Sequence, residues 1–65
     1  MLFTITNNYG HVYIDLKEKL AGFNFNYVDD NNATIEINSI EELANLTRIL
    51  GKVLIKEDHI TYFAD

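Results

Sequence analysis

Few side chains in this 65-residue sequence are of a type that makes or breaks bonds. There is no Cys, and Ser39 is the sole Ser. A nucleophilic triad would have to be built on Ser39, yet that residue opens a Leu-patterned run and reads as a helix cap. His11 and His59 have the residue type of a general base or a metal ligand. Each falls in or beside a turn, and a shared site with Glu57 or Asp58 would require two separate hairpins to meet. Asp29-Asp30-Asn31-Asn32 lacks the spacing, the Gly and the distal Glu of a calcium loop, so it reads as a solvated turn. Gly10, Gly22 and Gly51 each punctuate an element, and no Gly-rich phosphate loop exists. The carboxylate pairs Glu41–Glu42 and Glu57–Asp58 suit a helix start and a turn better than an acid/base couple. The expectation is therefore a non-enzymatic protein with no metal and no cofactor.

Binding is the remaining class of chemistry. Five Lys and Arg against ten Asp and Glu give a formal net charge of −5. A phosphate-backbone binder needs clustered cations, and Lys17 with Lys19 or Arg48 with Lys52 are too thin a group, so direct nucleic-acid binding is not expected. An acidic surface is instead attracted to a basic one. Four Tyr in so short a chain favour protein contact, since Tyr is large, rigid and amphipathic. The candidate partner-binding residues are Glu41, Glu42, Ile49, Glu57, Asp58, Tyr13 and Tyr62.

The element that must position them is a helix over about 40–50. Ser39 and Glu42 have capping-box spacing. Glu41 and Glu42 sit at the positive end of the helix dipole, Arg48 and Lys52 near the negative end. Gly51 stops the helix. At about 100° per residue, Ile40, Leu43, Leu46, Thr47 and Leu50 share one face, with Ile49 off its edge. Leu2–Thr6 alternates as a strand, and Asn7-Asn8-Tyr9-Gly10 is turn chemistry. Val12 and Ile14 alternate with Tyr13 and Asp15, so residues 1–14 read as a hairpin. A short helix is expected at about 16–21. The rival is one longer helix from His11 that uses Val12, Leu16 and Leu20. Phe23, Phe25 and Tyr27 alternate with Asn24 and Asn26, and Ile35 and Ile37 with Thr34, Glu36 and Asn38, giving a second hairpin. Val53-Leu54-Ile55 and Ile60–Phe63 supply the last strands. The fold class is α+β: a single compact domain, residues 1–65, with a mostly antiparallel sheet of five to six short strands and the main helix on one face.

No charged, apolar signal-peptide pattern is seen and no apolar run nears the roughly 20 residues of a membrane helix, so a cytoplasmic protein without membrane association is expected. A domain this small buries only about 60% of its unfolded surface, and no disulfide staples it. Extra burial against a partner or a second copy is therefore favoured.

The run IEINSIEELANLTRIL, followed by a short apolar strand and an acidic end, resembles small acidic orphan proteins of phages and mobile elements. That resemblance covers the C-terminal half and carries no site residues. It implies a compact protein that binds and modulates, or inhibits, a larger host or defence protein. The alternative is a structural homodimer or assembly subunit with no separate ligand.

Overall fold

The computed structural model describes residues 1–63. Along the chain lie β1 (Leu2–Thr6), α1 (Val12–Leu16), β2 (Asn24–Asp29), β3 (Asn32–Glu36), α2 (Ile40–Leu50), β4 (Val53–Lys56) and β5 (His59–Tyr62). The strands form one open sheet in the order β2-β3-β1-β5-β4. All neighbours are antiparallel except β1 and β5, which run parallel. The α+β class, with a mostly antiparallel sheet, a main helix and a short second one, is the one the sequence pattern predicts.

Alternation decides which face of the sheet is buried. Phe3 faces Ile35, and Ile5 lies between Ala33 and Ile60. These residues, with Ile37 and Tyr62, form the apolar side of the sheet. Val12, Leu16 and Leu20 cover it over β2 and β3, and Leu46 and Leu50 of α2 complete the core. The opposite face is lined by Thr4, Thr6, Thr34, Asn24, Asn26, Asn32 and Thr61. Hydrogen bonds link several of them. His59 Nε2 lies 2.9 Å from Thr6 Oγ1, Thr6 donates to Asn32 Oδ1 (2.6 Å), and Asn32 Nδ2 donates to Asp29 Oδ1 (2.8 Å). Thr6 spends its only proton on Asn32, so His59 Nε2 must be the donor at the start of this chain.

Helix α2 is capped as its sequence demands. Glu42 N–H donates to Ser39 Oγ (3.1 Å), and Asn38 N–H donates to Glu42 Oε1 (2.7 Å). Gly51 ends the helix at φ 81°, ψ −113°, with its N–H on the Thr47 carbonyl.

The N-terminal quarter corrects the reading of residues 1–14 as a hairpin and of 16–21 as the short helix. The helix begins at Val12, and β1 takes β3 and β5 as neighbours instead of Val12–Ile14. The rival from His11 is close to what is observed. Val12, Leu16 and Leu20 are all buried, and Leu20 N–H still donates to the Leu16 carbonyl. The cap is His11, whose Nδ1 accepts from Ile14 N–H at 3.2 Å. His is outside the usual cap residues, so the start was not marked. Four apart beat two apart because all three apolar positions then reach the same core.

Ile40 is the second correction. It shares the angular face of Leu43, Leu46 and Leu50 yet is 87% exposed. It occupies the first helical turn, at the lip of an open groove with Met1, Phe3 and Ile37, instead of in the core.

Two glycines make the backbone argument testable. Gly51 holds a φ that L side chains rarely adopt, whereas a Cβ on Gly22 would meet nothing within 4 Å. Gly51→Ala should therefore lower stability by about 1 kcal/mol or more, and Gly22→Ala should be neutral or raise it by up to about 1 kcal/mol. Urea unfolding of both variants checks the opposite signs.

Candidate functional site

The topology gathers the acidic residues that the sequence keeps apart. β3 ends beside the start of β1, with Glu36 opposite Leu2, and the Ile37 N–H donates to the Met1 carbonyl. α2 begins three residues later, so Glu41 and Glu42 stand over that same end. β5 runs parallel to β1 with His59 beside Thr4, so the Glu57–Asp58 turn also falls there. The Thr4 N–H donates to the Asp58 carbonyl at 3.0 Å. Glu36, Glu41, Glu42, Glu57 and Asp58 thus share one end of the sheet.

An apolar groove lies at this end, among the chain neighbours of Glu36, Glu41 and Glu42, whereas Glu57 and Asp58 line a separate pocket with Leu54, Lys56, His59 and Thr61. The groove is lined by Met1, Phe3, Ile37 and Leu43, with Ile40 on its lip and Asn38 and Ser39 at its polar margin. Met1 and Ile40 are exposed, and Leu43 is half-buried. The sequence reading missed this groove. Its one signal was Ile40, which periodicity assigned to the core.

The remaining candidate residues lie elsewhere. Tyr62 is 8% exposed on the buried face opposite Val53, so it is withdrawn as a partner contact. Its alternation with the apolar Phe63 hid which of the two faced the core. Tyr13 is half-buried and already engaged: it stacks on Phe25 at 5.3 Å and meets Tyr27 edge-on at 5.9 Å. Ile49 is partly exposed near the C-terminal end of α2, away from the groove. Glu42 is held by its cap and Glu36 by the Met1 amino group at 3.1 Å, and Glu57 and Asp58 line the other pocket, which leaves Glu41 as the carboxylate adjoining the groove.

A second cluster occupies the opposite end. His11 Nε2 lies 3.1 Å from Asp30 Oδ1, Tyr27 OH donates to the same oxygen (3.2 Å), and the His11 ring stacks on Tyr27 at 5.8 Å. The Asp29–Asn32 turn therefore organises this end and is more than a solvated link. Asn31 Nδ2 donates to the Asn7 and Gly10 carbonyls, Asn31 and Asn7 bond through their backbones, and Val12 N–H donates to the Asp30 carbonyl. The Tyr27 hydroxyl is pushed up from its ordinary value by partial desolvation, then by its hydrogen bond to Asp30. His11 and His59 are each held by a different partner. Among the described residues no three His, Asp or Glu side chains converge on a common point, and no helix is long and apolar enough to cross a membrane.

No protein-family model, no curated protein and no solved structure matches the chain.

Asp29 gives this end a pH dependence. Its carboxyl is held below the ordinary 3.8, first by the Asn32 side-chain amide and then by the Asn31 N–H. A lowered folded-state value means that its contribution is present above the unfolded value and fades as pH falls through the folded one. The Tm difference between the native chain and Asp29→Asn should be largest near neutrality and shrink in acid. A difference that grew on acidification would contradict the assignment.

Proposed function

We propose that this chain is a non-enzymatic protein-binding module whose docking surface is the apolar groove at the acidic end of the sheet. The class of partner is a protein segment that offers an apolar side chain flanked by Lys or Arg. One observation carries the reading: residues as distant in sequence as Met1, Ile40 and Asp58 share one end of the sheet, which carries both an apolar groove and carboxylates. Ile40 and Met1, both exposed beside the groove, offer a partner an apolar anchor point. The carboxylates add attraction and speed encounter with a basic surface more than they add affinity. The groups of catalytic type support the same class. Ser39 and His11 serve as caps, and His59 is bound to Thr6. A compact binder of this kind suits the role of a modulator or inhibitor of a larger host or defence protein, the role that the resemblance of its C-terminal half implies.

The test uses labelled peptides of alternating Leu and Lys, with a Leu and Glu peptide as control. Backbone amide NMR shifts should move at Ile37, Ile40 and Leu43 with the cationic peptide, weakly or not at all with the anionic one. Ile40→Lys, which alters a residue already in solvent, should leave the fold intact and reduce the affinity at least tenfold. Added salt should weaken binding as it screens the acidic end. Equal binding of both peptides, or shifts confined to the Thr- and Asn-lined face, would sink the reading.

A further inference from the structure

The two edges of the sheet are built differently, and only one of them is closed to further pairing. On β2 the ladder is interrupted between Tyr27 and Asp29, which leaves Val28 as a bulge, and the strand carries Asn24, Asn26 and Asp29. Bulges and polar residues are the usual means of stopping an edge from recruiting another strand. β4 has neither. Its register against β5 is unbroken from Val53–Tyr62 to Lys56–His59, and its first three residues are Val53, Leu54 and Ile55.

The hydrogen-bond phase of β4 follows from one distance. Phe63 N–H donates to the Lys52 carbonyl at 3.1 Å. In an antiparallel pair, bonded and non-bonded positions alternate. Lys52, Leu54 and Lys56 therefore turn their backbone groups toward β5, and Val53 and Ile55 turn theirs outward to an empty edge. The side chains there are also incompletely covered. Leu54 is 61% exposed on the Thr- and Asn-lined face, and Ile55 is 38% exposed on the helix face.

We infer that the β4 edge pairs antiparallel with β4 of a second copy, about a two-fold axis perpendicular to the sheet that passes midway between the two Leu54 residues. Such an axis keeps both helical layers on the same side, so each residue must meet one of the same face. Val53 then lies opposite Ile55 of the second copy and exchanges both backbone bonds with it. By symmetry Ile55 does the same with Val53. Leu54 meets its own equivalent at the non-bonded position between them, where side chains approach closest. An axis through Ile55 serves less well. It keeps the Ile55 pair but sets Val53 against Glu57, which lies in the turn at φ 58° and cannot extend the ladder.

The ends of the pair are mixed in charge. The register sets Lys52 of each copy opposite Lys56 of the other on the Leu54 face, which weakens the pair, and the adjoining Glu57–Asp58 turn offsets that repulsion only in part. The pairing also closes. It consumes the one bare edge and leaves two bulged β2 edges outside, so a dimer forms and a fibre does not. A single short strand pair is smaller than the roughly 1,200 Å² of stable interfaces, so the dimer is weak and depends on concentration.

The chain has no Cys, which permits a clean experiment. Sedimentation of the native chain should show the mass doubling as concentration rises toward millimolar, and Leu54→Lys should abolish the doubling without changing the thermal midpoint. Opposed positions of this kind bring Cβ atoms about 5 Å apart, near the roughly 4 Å that a disulfide needs. Leu54→Cys should therefore give a covalent dimer under mild oxidation, and Ile55→Cys should not. A monomer at every concentration overturns the proposal, including the case in which the edge accepts only an extended segment of another protein. Cross-linking through Ile55→Cys alone overturns the register. Ile40→Lys should leave the dimer unchanged, so failure of the groove and failure of the edge remain separate results.

Discussion

The structure depends on β1 being paired along both sides. Ile5 is fully buried between Ala33 and Ile60, so one residue joins three strands drawn from the beginning, middle and end of the chain. The parallel contact with β5 is the demanding one, because a parallel neighbour cannot be reached by a tight turn. The chain meets that demand by carrying α2 over the sheet from β3 to the far edge, descending as β4, and returning as β5 inside it. The acidic end is a by-product of this route. With β5 parallel to β1, the Glu57–Asp58 turn has to fall at the end where β3 stops and α2 starts.

This explains which features were legible in the sequence. Ser39, Glu42 and Gly51 encode α2 through bonds among near neighbours, so local reading suffices. The β2–β3 hairpin is legible for the same reason: its Asn- and Asp-rich turn joins two strands that then pair with each other. The partners of β1 were not legible, because no local signal says which distant strand a strand will meet. The start of α1 was obscured by two accidents. Val12 and Ile14 alternate like a strand, and the capping role falls to a His ring nitrogen. Ile40 shows a different limit. Helical periodicity gives the direction of a side chain but not whether the core extends far enough to meet it.

Several polar residues of the open face engage one another. The hydrogen-bond chain from His59 through Thr6 and Asn32 to Asp29 crosses four strands, and Asn26 donates to Asn24 beside it, while Leu54 stands exposed on the same face. Donors aligned in one direction toward a carboxylate reinforce one another. Surplus Asn in the composition is thus absorbed by the open face and by the Asn7–Asn31 junction. The Asn7 side-chain amide nitrogen is buried without a partner, and among the exposed apolar residues are Ile40 at the groove and Leu54 with Ile55 at the β4 edge.

These two unsatisfied surfaces lie on different parts of the molecule, and the sheet fixes their relation. The groove sits over β1, β3 and the start of α2, whereas the bare edge is β4, on the far side of β5. A two-fold axis perpendicular to the sheet reverses the strand direction, so a dimer through β4 would carry its two acidic ends at opposite extremes. The carboxylates of the two copies are then kept apart, although Lys52 and Lys56 of opposite copies are not, which matters for a chain of net charge −5. The same reversal leaves both grooves open and facing away from each other. A dimer of this geometry would engage two partner segments at once only if they approached from opposite directions. The topology that creates the groove therefore also dictates how two copies of it can be presented.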